Sequence, residues 1–229
     1  MSFSLGLYDL FSYLIPGMLY IYVVNEYIKL FGFSHLDPSQ LSKVDQSTSA
    51  LVVVAILFAA FVIGHIFDYL ASTLLYKLIY RRSIPEVALG ELKRKYDTID
   101  IAFKPDDWDI LMIILRSRNI ELTKILDKFQ ADSIMLRNLA FGFFLAMILS
   151  FTMFFQTLNT QEILLALAML IAWGFASYRS KQFRLWFYTD IFQASLEYGS
   201  TLKKVMENNS KEKEPSSNLS GSQKRSKGK

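Results

Sequence analysis

The chain has no cysteine and only two histidines among its 229 residues. That composition excludes disulfide frameworks, thiolate nucleophiles, iron–sulfur clusters and cysteine-based zinc sites. Proline (five) and glycine (ten) are scarce while phenylalanine (19) and tyrosine (12) are plentiful, which excludes a collagen-like or disordered chain. No glycine-rich phosphate loop, HExxH or G-x-S-x-G motif occurs, so no enzyme class announces itself and no cofactor or metal is implied.

The scarcest thing is charge within particular stretches. Residues 50–67 hold one histidine and no other ionisable side chain, and residues 138–155 and 163–178 hold no charge at all. A further apolar run, 10–24, is bounded by Asp9 and by Asn25-Glu26. A bilayer is crossed by ~20 apolar residues, and buried helices of a soluble bundle normally keep a polar stripe that these runs lack. The sequence therefore predicts an all-α membrane protein with four transmembrane helices. Lys29 is the first basic residue, and Pro16-Gly17 interrupts the first apolar run without a small-residue cleavage site, so that run reads as a retained span rather than a signal peptide.

Basic residues set the expected orientation. Ten fall in 81–133 and eleven in 179–229, against one (Lys43) in 31–48 and none in 156–161. Both termini and the central segment are thus expected in the cytoplasm. The expected organisation is a first hairpin in 1–80, with spans at about 7–30 and 49–70 and the second helix extended to 80. A helical cytoplasmic stalk (81–135), a second hairpin (136–178), a C-terminal amphipathic helix (179–207) and a disordered tail (208–229) follow. Within the stalk, Ser83-Ile-Pro-Glu86 has the form of a capping box, and Asp106 or Asp107 is expected to cap a helix over 108–118. A segment of this size buries little core alone, so its apolar faces (Leu111, Ile114, Leu115; Leu122, Ile125, Leu126, Phe129) are expected to pack on each other or on a second copy.

Few residues stand out as functional. Glu26, His65 and Asp68 are the ionisable groups closest to membrane depth, with Lys29 an i+3 partner for Glu26. His65 and Asp68 share a helix face, an arrangement in which a carboxylate can orient an imidazole. Ala60, Gly64, Asp68 and Ser72 form a ridge of small residues at four-residue steps, the pattern of a close helix contact. Pro16 and Gly17 mark an expected kink near mid-bilayer. Arg184 and Trp186, within a net-positive C-terminal segment, suit either an anionic membrane surface or packing on the stalk. The stalk itself carries ten basic and ten acidic residues, which is no footprint for direct nucleic-acid binding.

The opening Tyr8-Asp9-Leu10-Phe11-Ser12-Tyr13-Leu14-Ile15-Pro16-Gly17 resembles the start of a group of small, mostly uncharacterised bacterial membrane proteins. Ala131-Asp132-Ser133-Ile134-Met135-Leu136-Arg137-Asn138 is similar to theirs as well. The architecture resembles that of membrane subunits of anti-phage defence systems, and this resemblance implies a role in antiviral defence. The leading expectation is a non-enzymatic, homo-oligomeric protein that recruits or senses a cytoplasmic protein partner. An oligomeric pore, lined by Ser150 and Thr152, is the alternative, and an intramembrane enzyme using His65 and Asp68 the second alternative.

Overall fold

The computed structural model describes residues 7–33, 46–79, 83–96 and 103–197. The tail at 208–229, the end of the expected C-terminal helix and most of the first expected loop lie outside the described residues. Six α-helices and one 3-10 turn make up the described chain, with no strand among them. They are α1 (Leu7–Leu30), α2 (Gln46–Ile79), α3 (Ile84–Lys95), the 3-10 turn Pro105–Asp107, α4 (Trp108–Arg118), α5 (Ile120–Thr157) and α6 (Thr160–Glu197).

Helix boundaries follow local chemistry. Pro85 at the start of α3 lacks only a donor that would be unsatisfied there anyway. Ser83 occupies the N-cap, but its side chain makes no capping bond, so the capping box is present in sequence and unmade in structure. The Asp107 carboxylate accepts from the Lys104 backbone N–H at 2.8 Å. It therefore closes the 3-10 turn behind it instead of capping α4 ahead. Asn119 does cap α5, accepting from the Leu122 N–H at 3.0 Å. The α5–α6 reversal is made by Leu158 in the left-handed conformation, with φ of 53°, and by Asn159, whose side chain accepts from the Gln161 N–H at the start of α6.

Among the described residues, three helical stretches are long and apolar enough to cross a membrane: Ala50–Leu74 within α2, α5, and α6. This is the pattern of a multi-pass membrane protein. Only 11% of the most apolar window of α2 is buried inside the chain. Its outer face of Leu51, Val54, Phe58 and Ile66 would be costly in water, whereas in lipid it meets a matching solvent. α1 is not among these three stretches.

α5 and α6 each run 38 residues without a break, ~57 Å at 1.5 Å per residue. A hydrocarbon core is ~30 Å thick, so both helices continue well past it. The expected fourth span to 178 and the amphipathic helix from 179 form one continuous helix as far as Glu197. The protruding halves carry a second core. Leu89 and Leu92 of α3, Leu111 and Leu115 of α4, Leu126 of α5 and Ile191 and Phe192 of α6 are buried together. Thus the stalk faces do find a partner within the chain, and α6 completes the core that the stalk is too short to close. Ile125 departs from expectation and is half exposed at 49%.

Candidate functional site

The informative region lies where the uncharged runs end and the charged helical module begins. It is held by very close backbone contact. A Cβ built on Gly17 would overlap the carbonyl of Ala60, and one on Gly64 would overlap the carbonyl of Tyr13. α1 and α2 are therefore in reciprocal contact, each offering a glycine to the other's backbone. Of the predicted ridge, Ala60 and Gly64 are buried in this contact. Ser72 instead donates to the Tyr69 carbonyl of its own helix, and Ala71 takes the buried position beside Tyr20 and Phe141.

α1 also lies along α5 in matched register. The Ser12 hydroxyl donates to the Ala131 carbonyl at 3.0 Å. The Tyr20 hydroxyl donates to the Asn138 carbonyl at 2.6 Å, and Val23 packs with Ala146 and Leu149. The two helices thus run parallel. Pro16 and Gly17 fall between the first two of these contacts, so they flank the polar end of the uncharged run in α5. α1 continues as helix through Pro16, and Gly17 faces Ala60 in the middle of the uncharged run 50–67 of α2.

Within this region Asp68 of α2 and Arg137 of α5 form an ion pair. Arg137 Nη2 donates to Asp68 Oδ1 at 2.5 Å, with the side chains 8% and 25% exposed respectively. The Asp68 carboxylate is engaged by Arg137, and no ion pair links it to His65. The imidazole stacks on the Tyr13 ring, centroids 3.6 Å apart, and meets Phe61 edge-on at 4.7 Å. His65 and Asp68 are consequently separated in role: one packs on aromatic rings, the other carries an interhelical charge contact. Glu26 pairs with Lys29 at 3.6 Å on the surface of α1, a contact of the exposed i,i+3 kind worth a few tenths of a kcal/mol, about 0.3.

The polar layer continues between α5 and α6. Ser133 and Ser180 exchange hydrogen bonds, each hydroxyl donating to the other's carbonyl, at 3.2 and 2.9 Å. Asn138 is fully buried, and neither its side-chain oxygen nor its nitrogen has a partner; Arg137 Nε and Ser177 Oγ are in the same state. Buried polar groups are nearly always paired. Such atoms gathered at one level mark this as the least self-satisfied part of the described chain.

Further along α6, Arg179 stacks over Phe183 and Trp186, at 4.8 and 5.0 Å from the ring centroids. Trp186 also faces Phe129 of α5 at 5.9 Å. Trp186 therefore belongs to an aromatic seam between α5 and α6 and remains partly exposed. Arg184 lines a cleft between α4, α5 and α6 together with Arg137, Trp108 and Tyr188. Of the residues expected to line a pore, Ser150 is buried inside the chain and the Thr152 hydroxyl donates to the Ile148 carbonyl of its own helix. Among the described residues, no three His, Asp or Glu side chains come together as a metal site.

Arg137 was absent from the residues singled out by sequence, although a signal existed. Asp68 immediately follows the uncharged run 50–67, and Arg137 immediately precedes the run 138–155. Opposite charges bordering two apolar runs on the side of the same intervening segment are placed at equal depth once the helices pack.

No protein-family model, curated protein or solved structure matches the chain.

Proposed function

We propose that this is a non-enzymatic, oligomeric inner-membrane protein with four spans and cytoplasmic termini, which recruits or senses a soluble protein partner through its charged helical module. The supporting observation is the unbroken passage of α5 and α6 from apolar run to module. A partner bound to the module acts on the same two rigid helices that pack in the membrane, with no flexible linker to absorb the displacement. The module also exposes apolar side chains away from the uncharged runs: Ile113 on α4 and Ile120 on α5 are 67% and 68% exposed. Antiviral defence is the setting implied by the resemblance of the architecture to membrane subunits of anti-phage defence systems.

The register of α1 supports four spans. Its contacts with Asn138, Ala146 and Leu149 run along the uncharged part of α5, which favours α1 as a span. The natural absence of cysteine makes the arrangement directly testable. With an impermeant maleimide on intact cells, Phe33→Cys and Asn159→Cys are expected to label at once. Ser4→Cys and Ser117→Cys are expected to label only after permeabilisation. Labelling of Ser4→Cys in intact cells would remove the fourth span.

The partner reading is tested by capture from the native cell in mild detergent. Full-length protein is expected to elute as an oligomer with a soluble protein bound. Ile113→Ser/Ile120→Ser should lose that protein while melting like wild type, since both side chains are solvent-facing. A monodisperse monomer carrying nothing would overturn the proposal.

A further inference from the structure

The geometry points to an anion site for a phosphate group in the cleft formed by α4, α5 and α6, with Arg137 and Arg184 as its ligands. The cleft has a volume of about 120 Å³ and is lined by Trp108, Gln130, Arg137, Arg184, Phe187 and Tyr188 among others. Two guanidinium groups face it, and none of its lining residues is acidic.

Arg137 carries the argument. Its side chain is more than nine-tenths buried, one terminal nitrogen is committed to Asp68, and Nε has no partner. A buried donor left unmade costs ~1–3 kcal/mol, more when charged. Nε itself is enclosed, so an acceptor reaches it only by shifting the cleft wall; that contact would remove the cost while Nη2 stays with Asp68. Asp68 pairs with Arg137, and Arg184 brings a second guanidinium to the lining of the cleft. Arg184 has an interaction of its own within the chain, and a guanidinium with five donors can serve both. Planar guanidinium donors match phosphate oxygens better than any neutral group does.

Depth adds to the case. Arg137 directly precedes the uncharged run that begins at Asn138, and Arg184 lies six residues beyond the run that ends at Tyr178. Trp108 and Tyr188 form part of the wall, their rings 5.5 Å apart. Guanidinium, indole and phenol at the edge of an apolar slab are suited to a phosphate arriving at headgroup level. The same donors would hold a free phosphate from solution, so the shared chemistry is a phosphate oxyanion. The inference does not depend on the partner reading, because its measurement involves no second protein.

The test is thermal melting of full-length, delipidated protein in neutral detergent at constant ionic strength. One arm adds phosphatidylglycerol to the detergent-solubilised protein, with diacylglycerol, which lacks phosphate, as control; the other adds inorganic phosphate, with chloride as control. A saturated site is expected to raise Tm by roughly 5 °C. The rise should vanish in Arg184→Gln, a partly exposed position whose loss leaves the Asp68–Arg137 pair intact. Arg137→Gln should abolish it as well, and Arg184→Lys should restore only part. A rise with phosphatidylglycerol alone assigns the site to a lipid headgroup, and a rise with inorganic phosphate assigns it to a soluble anion. No rise in either arm, or a rise that survives Arg184→Gln, overturns the proposal.

Discussion

Gly17→Ala and Gly64→Ala are each expected to cost ~3 kcal/mol or more, the upper end of overpacking penalties. The reason is what the new methyl would meet. At both positions the obstructing atoms are a backbone carbonyl of the facing helix, Ala60 for Gly17 and Tyr13 for Gly64. A carbonyl inside a helix has no rotamer to adopt, so the two helices must separate and forfeit dispersion contacts along their length. Gly142→Ala provides the intermediate case. There the added Cβ would meet the tip of the Leu19 side chain, which can turn aside, and the expected loss is about 1 kcal/mol. Gly90→Ala is the opposite case: nothing lies within 4 Å of the new atom, and removing a helical glycine stabilises by ~0.5–1 kcal/mol. Detergent-solubilised variants, heated and then resolved by size exclusion, should rank in that order. A Gly64→Ala protein melting with wild type would show that α1 and α2 do not approach as described.

The glycine contact shows which information is local and which is not. Small residues at four-residue steps, Ala60 and Gly64, signal close approach to some helix, and a Pro-Gly pair signals an irregular backbone. Nothing in either pattern says that each serves the other, because the pairing is decided by which faces remain after α5 and α6 have packed. The register of α1 is hidden for the same reason: Ser12 and Tyr20 bond to carbonyls of Ala131 and Asn138, more than a hundred residues away. The uncharged runs, by contrast, are legible because lipid imposes one composition on every exposed side chain. The continuity of α6 was also available. No proline interrupts 160–197, and a polar patch such as Arg179-Ser180-Lys181 changes the solvent a helix faces without ending it. Asp68 stands out in the sequence as an ionisable group near membrane depth, while its role depends on Arg137, 69 positions away.

Asp68→Leu is expected to destabilise by about 3–5 kcal/mol, the range seen when one member of a buried ion pair is removed. Its effect should exceed that of Arg137→Leu, and the asymmetry follows from exposure. Losing Asp68 strands a guanidinium that is 8% exposed and already has one unpaired nitrogen, whereas losing Arg137 leaves a carboxylate that is 25% exposed and able to draw in water. Asp68→Asn keeps an acceptor oxygen for Arg137 Nη2 and should fall between wild type and Asp68→Leu. The decisive variant is the double one. Asp68→Leu/Arg137→Leu removes both charges together, and apolar replacement of a whole buried pair is often close to neutral. It should therefore melt above Asp68→Leu alone, with a coupling energy of at least ~2 kcal/mol between two residues 69 positions apart in sequence. Additive losses would mean that each side chain contributes only its own packing, and the pair would cease to be the link between α2 and α5. A recovered double variant would establish instead that the two charges are held for something other than stability. The candidate for that purpose is the cleft that Arg137 lines together with Arg184.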